Sequence, residues 1–357
     1  MSASEDELRV ACAGARSELD PGGVARKFGC ARLLRSSPAE LARLGVPAPL
    51  ATELRRSDAA GAATWADELR SRDIECLTAS APGYPPRLAE LADPPLAVFV
   101  AGSRLDLLAP EGPSVAIVGS RRGADAARRL AHDLAAGAAA AGVTVVSCLA
   151  LGVDAAAHEG ALAAGGPTLA VLGTGPDVAY PRTNACLFNR VREAGLLVSE
   201  YPPGTPPAPW RFPARNRLIA ALADATLVVE AAERSGALIT ADMALDLGRD
   251  VLAVPGWPGV SVARGTNALI KAGAGVVEDV TDLLAWLGID APRAAAAASD
   301  DDPMLAELGR SPAYADELAA RLGMTPGAVA AALARLEIDG RLARDVHGRW
   351  VPATPGG

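Results

Sequence analysis

The chain has 357 residues, of which 50% are hydrophobic, and its 34 basic and 42 acidic residues give a formal net charge of −8. This length and composition predict two or three domains with full cores. The negative net charge excludes a uniformly basic surface, so that any binding of nucleic acid must occur at a local basic site. The five cysteines lack close pair spacing, which disfavours zinc sites and disulfide frameworks, and the first ten residues lack the apolar segment of a secretory signal. We therefore expect a reduced, cytoplasmic protein.

Residues 1–76 predict a small helical module. Short helices interrupted by proline and glycine are expected at Leu8–Ala13, Gly22–Phe28, Ala31–Leu34, Pro38–Leu44, Leu50–Arg55 and Gly61–Ser71. Pro38, after two serines, is typical of the first residue of a helix. The spacing resembles helix-hairpin-helix and sterile-alpha-motif units, and a plain helical packing or dimerisation module fits it equally well.

Residues 77–290 alternate short apolar segments with helical ones, which predicts an α/β domain with a doubly wound, Rossmann-like parallel sheet. Strands are expected at Val115–Gly119, Val143–Ser147, Thr168–Leu172, Leu196–Ser199, Thr226–Val229, Val251–Val254 and Gly275–Glu278. The uncharged stretch Leu134–Val153 is long enough to cross a membrane. Because it is rich in alanine and glycine, we interpret it as a helix end, a turn at Gly142 and a strand, and we expect no membrane association.

Residues 291–302 are rich in alanine and then in acidic residues, which indicates a linker. Residues 303–357 predict a winged helix. Its expected helices and wing are Met304–Leu308, Ala315–Leu322, Thr325–Leu336, Leu342–Asp345 and Trp350-Val351. The last helix is mostly apolar and has Arg335 as its only base, which favours a structural or protein-contact role over the reading of DNA.

A basic segment stands out from the acidic chain. Between residues 201 and 223 there are three arginines and no acidic residue, and they fall at the expected start of a helix. Free N–H groups at a helix N-terminus and neighbouring guanidinium groups together bind phosphate. The predicted contact residues of this segment are Arg211, Phe212, Arg215, Asn216 and Arg217.

A second basic motif, Gly119-Ser120-Arg121-Arg122, follows the strand expected at residues 115–119. A dinucleotide fingerprint would need G-x-G-x-x-G, but the next glycine is Gly123, so that no cofactor is expected. Arg182 after the third strand of this series and Ser235-Gly236 after the fifth are further phosphate-binding candidates. Because the ligands of such sheets bind at the carboxyl ends of the strands, the motif at Gly119 and the basic segment at Phe212–Arg217 predict one ligand with several phosphates.

Three other polar side chains leave alternatives open. Asp154 and His158 are four residues apart and would share a helix face, as an acid–base pair or as half of a metal site. Since no third ligand or nucleophile accompanies them, we favour a carboxylate that complements the helix dipole and a packing histidine, and we predict no metal site. A catalytic role for Glu230 is weakly supported, because hydrolysis of glycosidic bonds normally uses two carboxylates.

Taken together, these motifs resemble the DprA/Smf family, the DNA-processing proteins of natural transformation. The resemblance runs from about residue 84 to 282. Its main motifs are Tyr84–Leu88, Val115–Arg121, Ser147–His158, Ala170–Gly173, Ser199–Pro202, Phe212–Ile219, Val228–Ala231, Ser235–Ala241, Ala253–Gly256 and Gly265–Asn267. One departure is Cys148, which stands where the family usually has a glycine.

The resemblance implies a non-enzymatic protein that binds single-stranded DNA without sequence preference, forms homodimers and loads the RecA recombinase onto incoming strands. It implies a DNA site at Gly119, Ser120 and Arg121, at Arg182 and in the segment Phe212–Arg217. The alternative function is a Rossmann-like nucleotide phosphoribohydrolase, which has a similar Gly-Ser-Arg turn. Such enzymes carry a Pro-Gly-Gly-x-Gly-Thr-x-x-Glu element, and the corresponding stretch here, Arg234–Asp242, lacks the glutamate.

Overall fold

The computed structural model describes residues 3–289, 303–338, 341–345 and 348–352. The chain divides into two compact units, Met1–Ile289 and Asp290–Gly357. The first unit combines helices with one large, mostly parallel sheet, and the second combines helices with a two-stranded sheet. The predicted α/β class, with a Rossmann-like sheet, an N-terminal group of helices and a C-terminal winged helix, is confirmed.

The N-terminal helices share a small core that includes Leu33, Leu41 and Leu50. They are α1 (Ala3–Ser17), α2 (Gly22–Phe28), α3 (Cys30–Arg35), α4 (Pro38–Arg43), α5 (Ala48–Arg56) and α6 (Ala59–Arg70). Pro38 is the first residue of α4, as predicted, and the Oγ of Ser37 caps this helix. The predicted helices are all present, although α1 extends beyond the predicted bounds at both ends.

Within residues 3–289, nine strands form one sheet in the order β1-β2-β6-β5-β4-β3-β7-β8-β9. They are β1 (Glu75–Thr78), β2 (Ala97–Gly102), β3 (Ser114–Val118), β4 (Thr144–Cys148), β5 (Thr168–Leu172), β6 (Leu196–Ser199), β7 (Ala225–Val228), β8 (Asp250–Ala253) and β9 (Gly275–Val276). The strands from β3 to β9 are the predicted ones, and they run parallel. The prediction missed β1 and β2, which pair antiparallel with each other, and β2 also pairs antiparallel with β6.

Helices cover both faces of this sheet. They are α7 (Pro86–Ala89), α8 (Asp125–Ala140), α9 (Val153–Ala163), α10 (Ala185–Ala194), α11 (Arg211–Leu222), α12 (Gly236–Asp246), α13 (Arg264–Lys271) and α14 (Val280–Trp286), with 3-10 helices at Leu105–Leu108, Arg182–Asn184 and Ser261–Ala263. Successive residues of β2 point to opposite faces, and accordingly Val98 shares a buried cluster with Leu218 of α11, whereas Phe99 shares another with Phe188 of α10. The predicted turn at Gly142 is confirmed, and no described helix is long and apolar enough to span a bilayer.

The second unit has the elements of a winged helix. They are α15 (Pro303–Arg310), α16 (Ala315–Leu322), α17 (Pro326–Ile338), β10 (Leu342–Arg344) and β11 (Trp350–Pro352). The two strands pair antiparallel, and Leu318, Leu336 and Trp350 belong to the core of this unit. The predicted helices and wing are confirmed. The linker at 291–302 lies outside the described residues, and the predicted domain bounds stay predictions.

The turn after β3 packs tightly on the turn after β4. Gly152, which precedes α9, has φ 84 and ψ −127, and the N–H of Val153 donates a hydrogen bond to the Ser120 carbonyl at 3.3 Å. A Cβ at Gly152 would lie 2.2 Å from that carbonyl oxygen, and a Cβ at Gly119 would lie 2.8 Å from Val153 Cγ2. Both positions therefore require glycine for the close approach, and Gly152 requires it also for its φ.

We expect Gly152→Ala to destabilise the protein more than Gly142→Ala. Both glycines have positive φ, so that each alanine carries a cost of about 1–2 kcal/mol for a left-handed conformation. Only at Gly152 would the Cβ also meet the backbone of Ser120, because nothing lies within 4 Å of a Cβ at Gly142. Urea unfolding should therefore give the lower midpoint for Gly152→Ala, and equal midpoints would contradict the tight packing of the two turns.

Candidate nucleic-acid interface

The strand order reverses at β3, because the chain adds β4, β5 and β6 on one side of it and β7, β8 and β9 on the other. At such a position a parallel sheet leaves a crevice for ligands beyond the carboxyl ends of its strands. A groove with a volume of about 570 Å³, here termed the switch-point groove, lies beyond the ends of β3, β4 and β7. The predicted DNA contacts that line it are Gly119, Ser120, Arg121, Arg122, Phe212, Arg215, Asn216, Ser235 and Gly236.

Three arginines give the groove its positive charge. Arg121, Arg122 and Arg234 line it with exposed side chains, and none of the three forms a salt bridge with a described residue. Arg234 was missing from the predicted contacts, although its place directly before Ser235, in a loop after a strand, was an available signal. Since the chain as a whole is acidic, these unpaired guanidinium groups make the groove a local site for anions.

An aromatic stack stands beside these arginines. The ring of Phe212 lies 5.3 Å from the ring of Tyr180 at an angle of 21°, and the guanidinium of Arg121 lies 5.8 Å from the Phe212 ring. Gly173 makes room for Phe212, because a Cβ there would lie 2.8 Å from its Cδ1. Tyr180, which the prediction did not include, is 44% exposed and lines a smaller cavity together with Arg121 and Phe212. The stack therefore offers an accessible flat surface next to the positive charge.

The groove also receives the N-terminus of α12. Ser235 caps this helix, and its Oγ accepts a hydrogen bond from the N–H of Ala237 at 3.3 Å. Gly236 is exposed and has no atom within 4 Å of a Cβ position, so that the backbone of the first turn stays open to a ligand. The positive end of the helix dipole favours an anionic group at this position, although the N–H groups of Ala237 and Leu238 already donate to Ser235.

The arginines of α11 do not act together, because residues two apart point to opposite sides of a helix. Arg215 is only 5% exposed, and it donates a hydrogen bond to the Val171 carbonyl at the floor of the groove. Arg217 does not line the groove, and its guanidinium pairs with Glu200 at 2.6 Å and with Asp93 at 3.1 Å. Both predicted phosphate contacts thus have partners within the protein.

Arg211 and Arg182, two further predicted contacts, also lie outside the groove lining. Arg211 donates a hydrogen bond to the Pro206 carbonyl at 2.5 Å, and its guanidinium lies 4.9 Å from the Tyr201 ring. Arg182 is exposed and begins a 3-10 helix two residues after Tyr180. Arg182 is therefore close along the chain to the aromatic stack, whereas Arg211 is occupied by its own loop.

A buried carboxyl group lies beneath the turn after β3. Asp154 accepts hydrogen bonds from the N–H of Gly119 at 3.2 Å and from Cys148 Sγ at 2.7 Å. Burial raises the pKa of Asp154 to about 6, although the Cys148 hydrogen bond and the charge of Arg215 act in the opposite direction. Burial also raises the pKa of the Cys148 thiol to about 12, so that this side chain remains a donor to Asp154.

His158 does not join Asp154 in a shared site. Its Nδ1 lies 2.7 Å from Thr168 Oγ1, and burial lowers the pKa of His158 to about 4, so that the ring is neutral near pH 7. Glu230 is buried, and its Oε1 has no hydrogen-bond partner among the described residues. Across the part of the chain that the structure describes, no three His, Cys, Asp or Glu side chains are placed to hold a metal ion. These contacts fit the structural interpretation of Asp154 and His158.

The raised pKa of Asp154 predicts that its ionisation destabilises the fold. The ordinary value is 3.8 and the folded value about 6, so that the stabilising contribution of this carboxyl is complete below about pH 4 and is lost as the pH rises through 6. The loss should reach about 3 kcal/mol. The free energy of unfolding of the wild type should therefore fall relative to that of Asp154→Asn, which cannot titrate, as the pH rises from about 4 to about 7. A difference that does not change with pH would contradict the raised pKa.

Family models match the chain from residue 75 to residue 346, and the N-terminal helices lie outside the match. The model for DNA recombination-mediator protein A matches residues 75–288, and that for the DprA winged helix domain matches residues 289–346. The Smf protein of Synechocystis is 43% identical over 224 residues, which is 62% of this chain and 56% of that protein. The alignment thus spans little more than half of that relative.

Solved structures agree with this match. DprA from Streptococcus pneumoniae has a TM-score of 0.64 and 32% identity, over 80% of this chain and 98% of that one. DprA from Helicobacter pylori, whose structure is described for its single-stranded DNA binding mode, has a TM-score of 0.54 and 30% identity, over 60% of this chain and 95% of that one. The chain therefore belongs to the DprA/Smf family of DNA-processing proteins.

Proposed function

We propose that this protein binds single-stranded DNA in the switch-point groove without sequence preference. The observation that carries the proposal is the presence, at one sheet edge, of unpaired arginines and an accessible aromatic stack. The single-stranded DNA binding mode described for the relative from Helicobacter pylori supports it. We take Arg121, Arg122, Arg182 and Arg234 as the phosphate contacts, because Arg211, Arg215 and Arg217 have protein partners.

An unpaired strand suits both features of the groove. Exposed guanidinium groups neutralise phosphates and release their counterions, and the N-terminus of α12 adds the positive end of its dipole. The stack of Tyr180 and Phe212 offers a face to a base, which a duplex keeps stacked in its interior. Since neither kind of contact reads the edges of bases, affinity should depend little on sequence and should be higher for single strands than for duplex.

We expect the double variant Arg121→Ala, Arg122→Ala to bind oligo-dT more weakly and with a flatter salt dependence. Four phosphate contacts give a log–log slope of about −3 for a single strand, and two contacts give about −1.5. Fluorescence anisotropy of labelled oligo-dT across a salt series measures both slopes.

The matched control is the double variant Arg55→Ala, Arg56→Ala. Both side chains lie in α5, are exposed and do not line the groove, so that this variant removes the same number of charges elsewhere on the protein. The control should keep the wild-type slope. An unchanged slope in the double variant, or a preference of the wild type for duplex DNA, would contradict the proposed site.

We further propose that the protein works in the cytoplasm as a homodimer that loads RecA recombinase onto incoming strands during natural transformation. Membership of the family supports this role. In the described residues β9 ends the sheet, and Val276 and Trp286 beside this edge are 41% and 51% exposed. An edge strand with exposed apolar side chains is a surface that a second copy of the chain would cover.

If the dimer forms through the β9 edge, Val276→Arg should weaken both dimerisation and RecA loading. A charge on each copy would face its symmetry mate across a two-fold interface. Light scattering should show a lower mass for this variant, and RecA should assemble more slowly on strands coated with single-strand-binding protein. Leu105→Arg, at a side chain that is 40% exposed in a 3-10 helix, is the control and should leave both unchanged. A fully dimeric Val276→Arg protein would rule out this edge as the interface.

We propose no catalytic step for the groove. Family membership does not favour the phosphoribohydrolase alternative, and the stretch Arg234–Asp242 lacks the glutamate of those enzymes. Release of free base from nucleoside monophosphates by the purified protein would contradict this assignment.

A further inference from the structure

We infer that Trp257 is a second stacking platform for an unpaired base, on the side of the switch-point groove opposite Tyr180. The inference rests on the proposed function, because it extends the path of the same DNA strand. It lengthens the binding site from a single groove to a track along the carboxyl edge of the sheet.

The position of Trp257 in the topology places it on this track. Trp257 follows β8, which runs parallel to β7, so that its loop lies at the same sheet edge as the loop that carries Ser235. Val262, near the other end of the Trp257 loop, lines the groove. Tyr180 follows β5, and four strand-to-strand steps lead from β5 to β8. At about 4.8 Å a step, the ends of β5 and β8 lie about 19 Å apart along the edge, and β3 and β7, whose loops carry the unpaired arginines, lie between them.

Trp257 is exposed in a loop that is held in place. Its side chain is 80% exposed, more than any other large hydrophobic side chain in the described residues. The side chain of Asn267 holds Gly256, the residue before Trp257, by two hydrogen bonds. It accepts one from the Gly256 N–H at 3.1 Å and donates one to the Gly256 carbonyl at 2.9 Å. A Cβ at Gly256 would lie 2.3 Å from Ala263 Cβ, which shows how closely the two ends of the loop approach. A tryptophan side chain has only two rotatable bonds, so that on a loop held in this way it loses little conformational entropy when a base stacks on it.

The charge around Trp257 favours a polyanion as the occupant. Residues 251–277 contain no acidic residue and two bases, Lys271 and Arg264, of which Arg264 pairs with Glu233 at 3.8 Å, in a chain with a net charge of −8. Ile239 and Val262, which are 40% and 36% exposed, continue the apolar surface from this loop into the groove. An aromatic ring in a loop without acidic residues, at the same sheet edge as unpaired arginines, matches the pattern of stacking faces and positive charge in proteins that bind single strands.

The test compares Trp257→Ala, Trp257→Leu and Trp257→Phe on oligo-dT of about 16 and of about 4 nucleotides. The Ala and Leu variants should bind the longer oligonucleotide about 5- to 150-fold more weakly, the loss expected for one stacked base, and the Phe variant should stay close to the wild type. The shorter oligonucleotide should bind nearly equally to all four proteins, because the groove alone accommodates it. Light scattering on the same samples reports the oligomeric state.

Three results would overturn the inference. If Trp257→Ala binds the longer oligonucleotide as tightly as the wild type does, the binding site ends at the groove, and the proposed function stands. If Trp257→Leu binds like Trp257→Phe, or if Trp257→Ala lowers the mass of the particle, the side chain makes an apolar or protein contact rather than a stack. If the wild type itself fails to bind oligo-dT, the proposed function fails together with this inference.

Discussion

The candidate site depends on the close approach of two turns that follow neighbouring strands. Gly119 and Gly152 let the backbone after β3 touch the start of α9, and the N–H of Gly119 then donates to the buried carboxyl of Asp154 at 3.2 Å. The turn held in this way carries Arg121 and Arg122 into the groove. A side chain at either glycine would push the two turns apart and displace these arginines from the aromatic stack.

The second constraint is that arginines without an acidic partner and arginines paired within the protein lie in different places. Glu200 and Asp93 neutralise Arg217 on the side of α11 away from the groove, and Arg215 is buried in its floor. The arginines after β3 and β7 keep no acidic partner among the described residues. An acidic molecule can therefore hold a polyanion in one groove, and the negative charge of the remaining surface opposes unspecific binding elsewhere.

Sequence patterns predicted the parallel strands because buried strands of this kind are short, continuous apolar runs. Strand β1 was missed because Glu75 and its neighbours are only partly buried, so that the apolar run is short. The turns at Gly119 and Ser235 were each predicted to follow a parallel strand, and parallel strands bring their carboxyl ends to one edge. The partners of Arg217 and the stack of Tyr180 on Phe212 join residues far apart in the chain, and no local pattern indicates them.

Photo-crosslinking of the full-length protein to an oligonucleotide that contains 4-thiothymidine, followed by mass spectrometry of the crosslinked peptides, tests the location of the DNA most directly. Binding in the switch-point groove predicts crosslinks to the turn at residues 119–122, to Tyr180 or Phe212, and to residues 234–236. Crosslinks confined to the N-terminal helices or to the winged helix, with none at these three places, would contradict it.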